Sequence, residues 1–162
     1  MDYRRKILAA KVRVALGGDH AGFTRKEKVR EYLTKKGYAV EDHGPVTPDP
    51  VDYPDFAEKV AASVAAKETD YGVLVCGTGL GVAIAANKVP GIRAATCNDT
   101  LSAMYARSHN DANVLAMGGR MTDEATAEKI LDIWFSTAFE GGRHQSRIDK
   151  ISQLDKKHHT EK

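Results

Sequence analysis

The chain alternates short apolar runs with longer stretches in which apolar residues recur every three or four positions. Val12–Leu16 is a brief run rich in β-branched residues that stops at Gly17-Gly18, the pattern of a strand entering a loop. From Thr24 to Lys36, Val29, Tyr32 and Leu33 fall at helical spacing, with Thr24 and Glu27 placed as a capping box and Gly37 as a stop. Tyr38–Asp42 predicts a second strand. Pro45, Pro48, Pro50 and Pro54 make the next stretch a loop, because proline disfavours helix at the residue before it. Pro54 also suits a helix start, and Phe56, Val60, Ala61 and Val64 carry that helix towards Lys67.

Tyr71–Cys76 is almost wholly apolar, as a strand buried on both faces of a parallel sheet should be, and is predicted at the sheet centre. The glycine-rich Gly77–Gly81 follows, then a helix over Val82–Lys88 closed by Pro90-Gly91. Ile92–Cys97 predicts a fourth strand, Thr100–His109 a helix, Val114–Met117 a fifth strand and Asp123–Phe135 another helix. Gly141-Gly142 breaks it, and Arg143–Leu154 reads as a last amphipathic helix. Strands alternating with helices in this way predict an α/β fold, a three-layer αβα sandwich around a five-stranded parallel Rossmann-like sheet. A single domain is expected over 12–154, between a leader at 1–11 and a polar tail at 155–162. Ligands of such sheets bind beyond the carboxyl ends of the strands, where strand order reverses. The residues following strands one, three and four therefore matter most.

Composition narrows the function. A length of 162 residues suits one domain, and 42% hydrophobic with 28% charged residues allows a packed core. Lys plus Arg exceed Asp plus Glu only by 24 − 22 = 2, and apart from short runs such as Arg4-Arg5-Lys6 the charges are interspersed, so nucleic acid is not an expected partner. Cys76 and Cys97 are too few for a disulfide framework, and no spaced Cys or His set suggests a metal site; a reducing cytoplasm is expected. Ile7–Ala10 is too short for a signal peptide's apolar region and no run of 18 apolar residues occurs, so neither export nor a membrane is expected.

Four segments could carry chemistry. Asp19-His20 places a carboxylate and an imidazole at a strand end, although a turn whose aspartate caps the next helix explains it equally. Cys76 leads into three alternating glycines at a helix start, where backbone N–H groups converge on an anion and would stabilise a thiolate or a developing oxyanion. Val82 stands where a dinucleotide fingerprint needs glycine, and no Gly-Lys-Ser/Thr follows, so neither nucleotide motif fits. The plainer reading of Cys76 is a small buried hydrophobe, the fate expected of Cys97. His109-Asn110 closes a helix, where a histidine can simply complement the dipole. Arg143 and Arg147, four apart, share a helix face and suit a phosphate, against the plainer reading of a solvated charged face. His43, His158 and His159 lack partners and are expected in solvent.

Taken in order, Gly18-Asp19-His20-Ala21-Gly22, Asp52-Tyr53-Pro54, Cys76-Gly77-Thr78-Gly79-Leu80-Gly81, Ala85-Ala86-Asn87-Lys88, Gly91-Ile92-Arg93-Ala94, His109–Leu115 and Glu140-Gly141-Gly142-Arg143-His144 resemble the type B ribose-5-phosphate isomerases. The resemblance spans about residues 12–154. It implies an aldose–ketose isomerase of the pentose phosphate pathway, working through an enediolate without metal or organic cofactor. It implies Cys76 as the base, His109 as the group that opens the sugar ring, and Thr78 as an aid to proton transfer. The amides of Gly77, Thr78, Gly79, Leu80 and Gly81 would hold the enediolate; Asp19, His20, Asn110, Arg143 and Arg147 would hold hydroxyls and phosphate, and Tyr53 would flank the sugar. It also implies a homodimer or homotetramer with sites between subunits, His109 and the arginines approaching from a neighbour. Isomerases of allose 6-phosphate, galactose 6-phosphate or a tetrose phosphate remain open, as does a non-catalytic sugar-phosphate-binding module; an NAD-dependent oxidoreductase is a poorer fit.

Overall fold

The computed structural model describes residues 11–159. Five parallel strands, β1 (Arg13–Gly18), β2 (Ala39–Asp42), β3 (Tyr71–Cys76), β4 (Ala94–Thr96) and β5 (Val114–Gly118), lie in the order β2-β1-β3-β5-β4. β3 is the central strand, as its unbroken apolar run predicts, and every residue of it but Tyr71 is buried. Six helices connect and follow the strands: α1 (Phe23–Lys35), α2 (Tyr53–Ala65), α3 (Leu80–Ala86), α4 (Thr100–Asn110), α5 (Glu124–Ser136) and α6 (Gln145–His159). A single 3-10 turn over Gly142–His144 precedes α6. No helix among the described residues is long and apolar enough to cross a membrane.

Successive strand residues face opposite sides. Val14, Leu16, Val73, Val75, Leu115 and Met117 point into one core, closed by Val29 and Leu33 of α1, Ala103 and Ala106 of α4, and Ile130, Leu131 and Trp134 of α5. Ala15, Leu74, Cys76, Val114 and Ala116 point into the other, closed by Val60, Ala61 and Val64 of α2 and Val82, Ala83 and Ala86 of α3. The result is the expected three-layer sandwich. Lys26 of α1 is fully buried, which its sequence position does not announce; its ammonium lies 2.6 Å from Asp42 and 2.8 Å from Glu27, the pairing that burial of a charge requires.

Several boundaries differ from those the pattern predicts; β4, for one, spans only Ala94–Thr96 of the expected Ile92–Cys97. The N-cap of α1 is Gly22, so Thr24 lies inside the helix and the capping box does not form. Gly79, at φ +83°, turns the chain early enough for α3 to begin at Leu80, two residues before the expected start. α6 runs on to His159, past Leu154. That helix stands largely off the body of the domain: Ile148 is its one buried residue, while Asp155 accepts a hydrogen bond from the Gly91 N–H at 2.8 Å. The expected leader, except Lys11, and the last three tail residues lie outside the described residues.

Candidate active site

Strand order reverses between β1 and β3, and the loops leaving their carboxyl ends are pressed together. An added Cβ at Gly18 or at Gly22 would meet the Val75 carbonyl oxygen at 2.2 Å, so only glycine lets the β1–α1 loop lie against the end of β3. Between them Asp19 is buried, its carboxylate accepting the Gly22 N–H at 2.9 Å just before α1. Asp19 thus closes a turn, as its plainer reading expects, but it does not cap α1, whose N-cap is Gly22 and makes no side-chain cap hydrogen bond. His20 follows, its Nδ1 accepting the Val51 N–H at 3.2 Å, which ties the loop before α2 to the same end of the sheet.

Cys76 closes β3 and is buried, and the Gly79 N–H points at its Sγ from 3.1 Å. The sulfur therefore sits on the floor of the Gly77–Gly81 loop, facing a backbone donor. Thr78 is exposed at the crest, with its Oγ1 accepting the Leu80 N–H at 3.3 Å. Two contacts fix the loop from β4: Thr96 Oγ1 donates to the Gly79 carbonyl at 3.0 Å, and Asn98 Nδ2 donates to the Thr78 carbonyl at 3.1 Å. Asn98 Oδ1 in turn accepts the Gly118 N–H at 2.8 Å, so one side chain joins the loop to the end of β5. Tyr53, the first residue of α2 and 40% exposed, lays its ring on Gly81, where a Cβ would approach its Cζ to 2.7 Å. Arg120 brings a guanidinium to the other side, with Nη1 3.3 Å from the place a Cβ would take on Gly77.

The remaining expected residues lie at the opposite end of the sheet. α4 returns from the carboxyl end of β4 to the start of β5, so its last residues stand beside the strand beginnings. Arg93, just before β4, donates to the carbonyls of Asn110 at 3.0 Å and Asp111 at 2.8 Å, and Asn113 caps Gly72 at the start of β3. His109 stacks on His144, ring centroids 4.2 Å apart and planes 13° apart, with Tyr105 4.6 Å away on α4. Both imidazoles face Glu140, which the Ser108 carbonyl holds by its backbone N–H at 3.0 Å. Burial, then His109, then Arg143 hold the pKa of His144 below the usual histidine range. Arg143 and Arg147 are exposed one turn apart, Arg147 donating to the Arg143 carbonyl. The length of β3 from Tyr71 to Cys76, roughly 17 Å of strand, lies between the strand beginnings beside this group and Cys76.

The comparisons with known proteins agree with this architecture. The model of the Ribose/Galactose Isomerase family matches residues 14–151. The chain belongs to that family. It is 43% identical over 145 residues to ribose-5-phosphate isomerase B of Escherichia coli, covering 90% of this chain and 97% of that one. Its fold is similar to that of Clostridium thermocellum ribose-5-phosphate isomerase B, with a TM-score of 0.89, 47% identity, and coverage of 90% of this chain and 99% of the other. It is also similar to ribose-5-phosphate isomerase B from Mycoplasma genitalium with bound ribulose-5-phosphate, at TM-score 0.86 and 44% identity, covering 90% and 97%.

Within this family member, then, the structure gathers Asp19, His20, Tyr53, Cys76 and the loop Gly77-Thr78-Gly79-Leu80-Gly81 at one end of the sheet. His109, Asn110, Arg143 and Arg147 gather at the other. His20 and the two arginines cannot meet at one phosphate within a single chain. Sequence reasoning missed Asn98 and Arg120, although Asn98 directly follows the predicted strand Ile92–Cys97 and lies two residues past the end of β4, the position that sheet topology marks. It also placed His43 in solvent, whereas its Nε2 is buried without a hydrogen-bond partner.

Proposed function

We propose that the protein interconverts ribose 5-phosphate and ribulose 5-phosphate through an enediolate, without metal or organic cofactor. The observation that carries this reading is Cys76 Sγ at the base of a loop of backbone N–H groups, 3.1 Å from that of Gly79. A thiolate there takes the proton next to the sugar carbonyl, and the amides of Gly77–Gly81, on a loop fixed through Asn98 and Thr96, hold the negative oxygen, those of Gly79 and Leu80 giving up their contacts to Cys76 Sγ and Thr78 Oγ1. Thr78 at the crest hands protons between the two oxygens. Tyr53 walls the sugar, and Asp19 and His20 take its hydroxyls and phosphate beside Arg120.

The other half of the reaction belongs to a second copy of the chain. His109 opens the sugar ring, Asn110 positions a hydroxyl, and Arg143 with Arg147 clamps the phosphate, whose charge suits planar donor forks. Their place at the far end of the sheet supports a homodimer whose sites are each assembled from two chains. Exposed apolar side chains on α3, α4 and α6, namely Leu80, Ile84, Leu101, Tyr105, Ile151 and Leu154, supply surface for such an assembly. Both cysteines are free thiols, in keeping with action in the cytoplasm. Measuring kcat/KM over a panel of five- and six-carbon aldose phosphates tests the substrate. Ribose 5-phosphate should lead the panel; a clear preference for a six-carbon phosphate would reassign it.

A further inference from the structure

Among the described residues, one cluster of ligating side chains does more than the proposed reaction requires. His109 Nε2 lies 3.8 Å and His144 Nε2 3.7 Å from the same Glu140 oxygen, and the three donor atoms lie within 4.8 Å of one another. His144 Nε2 is sealed from solvent and has no hydrogen-bond partner, a state that costs free energy until something satisfies it. Glu140 is 59% exposed, so an ion can reach the group from solvent. Gly141 and Gly142, at φ +65° and +53°, form the turn that folds Glu140 and His144 back towards His109.

Two imidazoles and one carboxylate are a donor set that zinc takes with a fourth position open. Tetrahedral bonds of about 2.0–2.1 Å place donors roughly 3.3–3.4 Å apart, so the two Glu140 pairs at 3.7 and 3.8 Å need a small closure, and the two histidine nitrogens, within 4.8 Å of each other, are brought to one ion as the rings turn out of their stack. We propose that His109, Glu140 and His144 form a site for Zn2+ or a similar borderline divalent cation, and that an ion bound there inhibits the enzyme by withdrawing His109 from ring opening. The inhibitory consequence rests on the role given to His109 above. The ion enters by exchanging its water ligands for the three side chains, and no electron transfer is involved.

Zinc competition against a chromogenic chelator, on the full-length protein, tests the site without turnover. The wild-type chain should bind one Zn2+ per chain, and Glu140→Gln and His144→Ala should each weaken that binding at least tenfold. In parallel, isomerisation should fall with added Zn2+ at the concentrations that fill the site. Equal zinc affinity in all three proteins would put the ion elsewhere, for instance on Cys76, and overturn the proposal. Zinc binding that depends on both residues yet leaves isomerisation untouched would overturn the inhibition. Full isomerisation by His109→Ala would instead defeat the ring-opening role, while the chelator titration still judges the site.

Discussion

Cys76 and Cys97 are both buried free thiols in different surroundings, and the role proposed for Cys76 is not open to Cys97. Burial pushes the Cys97 thiol from 9.0 up to about 11, so it stays neutral in the folded protein where the unfolded chain would already ionise. A raised folded pKa contributes stability that is intact below about pH 9 and lost as pH rises through about 11. Denaturation midpoints measured from pH 8 to 11 should therefore fall less steeply for Cys97→Ala than for the wild type; parallel slopes would show that this thiol does not contribute. Cys76 faces a donor instead of apolar walls alone. Cys76→Ala should lower kcat by about 10²–10⁴, the contribution expected of a positioned base, while circular dichroism and the thermal midpoint stay near wild type. The packing fate of Cys97 and the loop beside Cys76 were legible in the sequence, because both depend on immediate neighbours. Asn98 and Arg120 were not, because their contacts cross from one strand end to another.

Elements were legible where apolar periodicity alone decides them, which covers the strands and the middles of the helices. Their ends depend on close approaches that periodicity does not encode. Thr24 and Glu27 have capping-box spacing, but the packing of Gly18 and Gly22 on Val75 sets the start of α1 upstream, inside which Thr24 cannot take the extended backbone of an N-cap. Gly79 likewise advances α3, which puts Gly81 within the helix and under the Tyr53 ring. The ring is the movable partner in that contact. Gly81→Ala should therefore displace it, raising KM several-fold with little change in stability or in kcat. Tyr53→Ala should raise KM in the same way; an unchanged KM in Tyr53→Ala beside a raised one in Gly81→Ala would mean that the ring does not wall the substrate.

At the scale of the whole molecule, strand alternation predicted the layers and the parallel sheet, and the switch between β1 and β3 marked the carboxyl-end crevice. The partition of the expected residues between the two ends follows only from tracing α4 and α5 back across the sheet. That partition is the basis of the central claim, that each site combines Cys76 of one chain with His109 of another. A Cys76→Ala chain and a His109→Ala chain should each be inactive alone. Mixed in equal amounts and allowed to exchange, they form hybrid dimers in which one site carries both substitutions and the other carries neither. With random pairing half the dimers are hybrids, so the mixture should regain about a quarter of wild-type activity. Absence of any recovery, with subunit exchange demonstrated by mass spectrometry of differently labelled chains, would contradict the account and require Cys76 and His109 to act within one chain.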